Sequence, residues 1–342
     1  MNYKCKIIIP YFGQFQNSII PFLKSCENNP EFEWLFVTDA AFPCAVPLNV
    51  HVQRTTLNAL KQRIEKKIGF SISLEAPYKI CDFRPAFGFI FEEELKGFDF
   101  WGWGDVDLVY GKLSNFITDE ILDRFDKIYP CGHLSMIKNT EENNKAFMEN
   151  IRGTLDYHKV FKSPNSMIFD EYKGLNETFL ATGRKVYGKI DFADMDIVYT
   201  RFRTADWKTI RKVFPDFLFK QFIPKNYRNQ IFFVNNGNAY RIYVEHGRIE
   251  YQELVYIHYR KKIDCANDID YNKGFYITKN GILQDESELD KNLITKYNYY
   301  PGKLFEFKEY LCFYKERMVM KLGSNILLRN MVRKIKGKDI IQ

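Results

Sequence analysis

The 342-residue sequence has no apolar run approaching the roughly 20 residues that a membrane-crossing helix needs, so any membrane association must be peripheral. It has no CxxC pair. Its seven cysteines (5, 26, 44, 81, 131, 265 and 312) are scattered and odd in number, which argues against a disulfide scaffold and for a reducing cytoplasm. No signal peptide precedes the first apolar strand, no GxxxxGK[ST] phosphate loop occurs, and no internal repeat or low-complexity linker interrupts the chain. Tryptophan is scarce, at four residues, yet 31 Phe and 22 Tyr bring aromatic content to 17% and apolar residues make up 46%, a composition that excludes disorder.

The formal net charge of +7 is modest for this length, and basic and acidic residues are interleaved through most of the chain, so no nucleic-acid-scale basic field is expected. The exception is the C-terminus, where Lys315, Arg317, Lys321, Arg329, Arg333, Lys334, Lys336 and Lys338 face only Glu316 and Asp339. These cations alternate with Leu311, Phe313, Val319, Leu322, Ile326, Leu327, Met331 and Ile335 at spacings that suit amphipathic helices. Anionic lipid headgroups would attract such a face; a helix packed on the rest of the protein with a solvated basic side is the rival.

Residues 6–10, Lys6 followed by the apolar run Ile7-Ile8-Ile9-Pro10 and a Pro-Tyr-Phe-Gly turn, have the pattern of a buried strand, and a helix is expected over about 15–27. Further strands are expected at 34–37, about 50–53 and 98–103, a helical segment at 55–67, and another helix over about 85–96. Beyond them the pattern predicts one or two strands in 128–137, a helix at 141–150, a loop and helix in 165–181, and short strands from about 191 to 258. Strands alternating with helices predict an α/β fold with a mostly parallel, doubly wound sheet. One catalytic domain over 1–300 is expected, with halves at about 1–125 and 126–300, followed by a basic extension at 301–342.

In such a sheet, ligands bind beyond the carboxyl ends of the strands, which directs attention to Pro10–Gly13, Thr38 and Asp39, and Asp105–Asp107. Asp105-Val106-Asp107 reads as an extended segment that places both carboxylates on one side. Two hard oxygen ligands at that spacing can share Mn²⁺ or Mg²⁺ and leave positions for diphosphate oxygens. A DxD triplet is common in surface loops. This one is wedged between a Trp-rich apolar strand and Leu108-Val109-Tyr110-Gly111, where two uncompensated carboxylates would be costly. Gly102 and Gly104 are read as letting the backbone approach a ligand.

The segments Pro10-Tyr11-Phe12-Gly13, Tyr78-Lys79-Ile80-Cys81-Asp82-Phe83-Arg84-Pro85-Ala86 and Asp99-Phe100-Trp101-Gly102-Trp103-Gly104-Asp105-Val106-Asp107-Leu108-Val109-Tyr110-Gly111 together resemble bacterial capsule and lipopolysaccharide glycosyltransferases of the DUF6625 type. The resemblance spans roughly residues 5–260. It implies a GT-A-like fold, a nucleotide-diphosphate sugar donor (UDP-galactofuranose or UDP-galactose among the options), and a growing polysaccharide or lipid-linked acceptor. It also implies a metal on Asp105 and Asp107, with Lys79 and Asp82 lining the donor side.

Within that frame Tyr11 and Phe12 are candidates to stack on a nucleobase, with a turn-capping core role as the rival. Thr38 and Asp39 are candidates to bond ribose or base, though Asp39 also suits a helix N-cap. Lys79 and Arg84 can contact a diphosphate and Asp82 can orient them; Arg84-Pro85 also reads as a plain helix start. Asp170, with Glu171 as alternate, is the candidate catalytic base; its rival role is to complement a helix dipole. His258 is a candidate third metal ligand, its neighbours Arg260, Lys261 and Lys262 suiting a leaving diphosphate, whereas a lone histidine is more often structural. Asp191, Asp194 and Asp196 form a rival acidic cluster, read as a solvated loop or an acceptor-binding segment.

Metal-dependent glycosyl transfer, with inversion, is therefore the leading expectation. Nucleotidyl or phosphoryl transfer also uses paired carboxylates, but those folds place a Gly-Ser phosphate loop ahead of the pair. A noncatalytic carbohydrate-binding protein would account for the aromatics and leave the carboxylate pair unexplained.

Overall fold

The computed structural model describes residues 1–196, 204, 226–260, 269–278, 281–284, 287–298, 300 and 302–323. Arg329, Arg333, Lys334, Lys336 and Lys338 of the basic tail lie outside the described residues, as do Lys261 and Lys262. Among the described residues no helix is long and apolar enough to cross a membrane.

The molecule is mixed α/β, built on a mostly parallel sheet. Strands β1 (Cys5–Tyr11), β2 (Phe32–Thr38), β3 (Val50–Arg54) and β4 (Phe100–Gly104) run parallel in the order β3-β2-β1-β4. After β5 (Leu108–Tyr110) and β6 (Lys127–Ile128), β7 (Leu134–Lys138) inserts antiparallel beside β4. β6 and then β8 (Val186–Tyr187) complete the seven-stranded order β3-β2-β1-β4-β7-β6-β8.

The continuous apolar reading of β1 follows from burial on both faces. Ile7 and Ile9 join Phe22 and Leu23 of helix α1 (Ile19–Glu27) in one core, whereas Ile8 joins Leu60 and Ile64 of helix α2 (Leu57–Ile68) in the other. Trp101 and Trp103 both face the second core. Their alternating neighbour Gly102 faces the other way, where a Cβ would strike the carbonyl oxygen of Ser135 on β7. That glycine admits a neighbouring strand and not a ligand. Gly104 borders the cavity described below, and a Cβ there would come within 2.9 Å of the Tyr110 hydroxyl.

Elsewhere the expected elements appear with shifted ends, except at 85–96. There the chain forms 3₁₀ turns over Pro77–Ala86, a single short helix Phe87–Ile90, and then turns. Pro85 cannot donate a backbone hydrogen bond, and Lys79, Asp82 and Arg84 are drawn to partners more than 80 residues away in sequence or across the cavity, so the segment is shaped by tertiary contacts.

A small sheet joins distant parts of the chain. β13 (Tyr256–His258) lies antiparallel to β5 and parallel to β9 (Ala193–Asp194). A second, antiparallel sheet carries β10 (Gln230–Asn235), β11 (Asn238–Glu245), β12 (Arg248–Leu254), β14 (Phe275–Thr278) and β15 (Gly281–Leu283) in the order β12-β11-β10-β14-β15. A helix over Lys303–Gly323 follows.

Candidate metal and catalytic site

Beyond the carboxyl ends of β1 and β4 lies a cavity of about 470 Å³. Its walls include Tyr11, Phe12, Tyr78, Arg84, Asp105, Asp107, His133, Asp170, Glu171, His258 and Arg260. This is where an open α/β sheet presents ligand sites, because the strand ends and the loops after them converge there.

The sheet β5-β13-β9 assembles the side chains that could hold a metal. Leu108 pairs with His258, so Asp107, one residue earlier, arrives beside the imidazole; the Tyr259 N–H then donates to the Asp107 carbonyl at 3.1 Å. On the other side His258 pairs in register with Asp194. Asp105 and Asp107 occupy a bend between β4 and β5 and not the extended segment expected from sequence. They nonetheless converge with His258, and one ligand atom from each lies within 4.8 Å of the others.

The histidine is oriented from behind. Its Nδ1 lies 2.8 Å from Asp194 Oδ1, leaving Nε2 turned to Asp107 Oδ1 at 3.4 Å and Asp105 Oδ2 at 4.0 Å. Arg260 Nε donates to Asp194 Oδ1 at 2.6 Å and its Nη2 donates to Oδ2. Burial disfavours a charged His258, but the bonds to Asp107 and Asp194 outweigh it and push the imidazole up to about 10. Burial likewise opposes ionisation of Asp194, yet hydrogen bonds from His258 and Arg260 hold it well below the usual carboxylate range. His133 lies against His258 with ring centroids 4.7 Å apart and the planes tilted by 30°, and shares a 2.7 Å hydrogen bond between Nδ1 and the Tyr256 hydroxyl. Burial, then the neighbouring imidazole, bring it down to about 3, so it is neutral.

The donor set fits a divalent cation. Two carboxylates and an imidazole match Mn²⁺, or Mg²⁺ with less preference for the nitrogen, and a carboxylate behind the histidine is the usual support for a metal-bound imidazole.

Arg84 spans the cavity floor. Nη2 donates to Asp105 Oδ1, while Nη1 donates to Asp170 Oδ2 at 2.8 Å and to the Gly132 carbonyl at 2.9 Å. Asp170 is 3% exposed, and its other oxygen, Oδ1, has no hydrogen-bond partner among the described residues. Burial raises the Asp170 carboxyl to about 7 even though Arg84 pulls the other way, with Glu171 adding to the rise. Glu171 is also raised by burial, tempered by the Gly132 N–H that it accepts at 2.7 Å. Cys81 also lines the cavity, where burial lifts its thiol to about 12 and keeps it protonated near neutral pH.

The structure thus brings together Tyr11, Phe12, Asp105, Asp107, Asp170, Glu171 and His258 around one cavity. Lys79 and Asp82 do not line it. They form a buried ion pair at 2.6 Å; Lys79 also donates to the Val160 and Asn165 carbonyls, and Asp82 accepts the Met167 and Phe169 N–H groups at 2.9 Å. The pair anchors the segment that leads into Asp170. That segment holds Ile168 at φ 56°, a conformation that costs a β-branched residue roughly 1–3 kcal/mol. Thr38 is buried and caps the Ala40 N–H, and Asp39 accepts the Gly13 N–H at 3.0 Å; both shape loops beside the cavity and not its walls.

Two residues matter more here than their sequence context suggested. Asp194 is not in a solvated loop but buried, because β9 pairs with β13; Arg84 is not merely a helix start but the link between two carboxylates. Tyr78, which opens one of the segments that carry the resemblance, and His133, a weaker histidine candidate than His258, also line the cavity. No curated protein matches the chain. Residues 7–286 match the model of a family of unknown function, DUF6625, and the chain belongs to that family.

Proposed function

We propose that the protein is a metal-dependent glycosyltransferase with a GT-A-like architecture, moving a sugar from a nucleotide-diphosphate donor to a growing surface polysaccharide with inversion at the anomeric carbon. The observation that carries the reading is the convergence of Asp105, Asp107 and His258 at the strand ends, facing Asp170 across the Arg84 fork. Parallel strands followed by one antiparallel insertion, with the acidic pair just past β4, support the architecture.

Asp105, Asp107 and His258 Nε2 would hold Mn²⁺ or Mg²⁺, whose charge neutralises a diphosphate leaving group. Arg260, beside the cation site, adds positive charge to the same wall. Tyr11 offers one ring face to a nucleobase, the other being stacked on Phe15 at 4.4 Å. Asp170 would act as base: Arg84 fixes Oδ2, the buried Oδ1, without a partner among the described residues, would take the acceptor hydroxyl's proton once an acceptor reaches it, and burial supplies a basicity near neutral pH. The reaction would take place on the cytoplasmic side, with a lipid-linked oligosaccharide as the natural acceptor.

The test is binding and hydrolysis of a panel of UDP-, GDP-, CMP- and dTDP-sugars with Mn²⁺, for the native chain and Asp107→Ala. Metal-dependent binding or turnover of one donor, lost in the variant, is expected. If no nucleotide sugar binds with or without metal, the reading fails.

A further inference from the structure

The helix Lys303–Gly323 is built the wrong way round for a helix that packs on its own protein. At about 100° per residue, Leu304, Phe307, Leu311 and Tyr314 recur at i, i+3, i+7 and i+10 and form one stripe. All four are exposed, at 71%, 58%, 51% and 40% respectively. The opposite face carries Glu306, Glu309 and Phe313, also at i, i+3 and i+7, and these are only partly exposed. An amphipathic helix serving the fold would turn the first set inward and the second outward.

The charges follow the stripe. Lys308 and Lys315 stand four residues after Leu304 and Leu311, and Lys303 four before Phe307, so three exposed lysines border the apolar row while both acidic residues of residues 303–315 lie behind it. Residues 303–342 contain ten Lys and Arg against four Asp and Glu, so this last stretch accounts for six of the chain's seven net positive charges.

We propose that this helix lies flat on an anionic lipid bilayer, with Leu304, Phe307, Leu311 and Tyr314 dipping among the acyl chains and the flanking lysines meeting the headgroups. Apolar and aromatic side chains along one row with cations on its borders are the two requirements of an interfacial helix, and crossing the membrane is not required of it. A second copy of the chain is a poorer occupant, because over residues 303–315 the same face would bring lysines against lysines with no acid on that side to meet them. Nucleic acid would satisfy the lysines and leave the apolar row in water. The proposal stands independently of the catalytic reading.

The test is co-sedimentation of the full-length protein with vesicles of phosphatidylcholine alone and with about 30% phosphatidylglycerol, at about 0.15 M salt. Binding to the anionic vesicles at least about tenfold stronger is expected. The combined variant Leu304→Ser, Phe307→Ser, Leu311→Ser should lose about tenfold or more of that binding, and Lys308→Glu with Lys315→Glu should do the same. Because these side chains are exposed, both variants should keep the wild-type melting temperature, which separates loss of binding from loss of fold. Absence of vesicle binding, equal binding to both lipid mixtures, or undiminished binding by the variants overturns the proposal. So does concentration-dependent dimerisation that the serine variant abolishes without any vesicle binding.

Discussion

Replacing Asp194 by asparagine keeps the shape of the side chain behind His258 and removes its charge. In the native arrangement the carboxylate accepts from His258 Nδ1 at 2.8 Å and takes two hydrogen bonds from Arg260, so it both fixes the imidazole ring and makes Nε2 a better donor to a cation. Asparagine can accept the histidine proton but supplies no negative charge, and Arg260 loses its ion-pair partner. Removing such a supporting carboxylate lowers metal affinity by roughly 10–100-fold, about 1.4–2.7 kcal/mol. The assay is titration of Mn²⁺ into full-length Asp194→Asn, followed by calorimetry or by the electron paramagnetic resonance of the free ion, with circular dichroism to confirm the fold. Asp107→Asn should fall further, since it alters one of the three proposed ligands directly. Mn²⁺ affinity within about twofold of wild type in a folded Asp194→Asn protein would refute the argument that this carboxylate supports the metal through His258.

Asp170→Asn should lower kcat by at least about a hundredfold while leaving donor affinity within about threefold, and Glu171→Gln should do much less, because glutamine can still accept the Gly132 N–H. Steady-state kinetics separates the two, and a selective rise in KM would contradict the base assignment. Burial pulls Lys127 down to about 7, far below its ordinary value near 10.4, so between about pH 7 and 10 the unfolded chain binds the extra proton and this residue's penalty shrinks as pH rises. Lys127→Met should therefore be more stable than wild type by about 1–3 kcal/mol at pH 7, with the gap narrowing by pH 9, as urea midpoints at the two pH values will show. Gly102→Ala should destabilise by about 2–4 kcal/mol, since its methyl would meet the backbone of β7; an unchanged melting temperature would show that the two strands can part there.

Much of the α/β core was legible in the sequence because its signals are local. The run at 6–10 and the strand ahead of Asp105 are apolar on both faces for the plain reason that helices cover both sides of the sheet. The helical pattern at 85–96 yields to 3₁₀ turns and one short helix because the segment just before it, with Lys79, Asp82 and Arg84, is held by residues far along the chain, which no local window can register. The same reason explains Lys79 and Asp82: a Lys and an Asp three residues apart beside an aromatic segment look like ligand contacts, and only burial against the 160–169 segment reveals a structural pair.

What the sequence determined by itself was the alternation of strand and helix and the acidic pair at Asp105 and Asp107, since both depend on residues that are neighbours in the chain. What the tertiary structure decided was which distant groups complete that pair. His258 reaches it by pairing with Leu108, far back in the chain, Asp194 by pairing with His258 across 64 residues, and Asp170 through an arginine 86 residues away. Hydrogen-bond register between remote strands, the burial that raises Asp170, and the bonds from His258 and Arg260 that hold Asp194 ionised are properties of the closed fold and leave no periodicity in the chain.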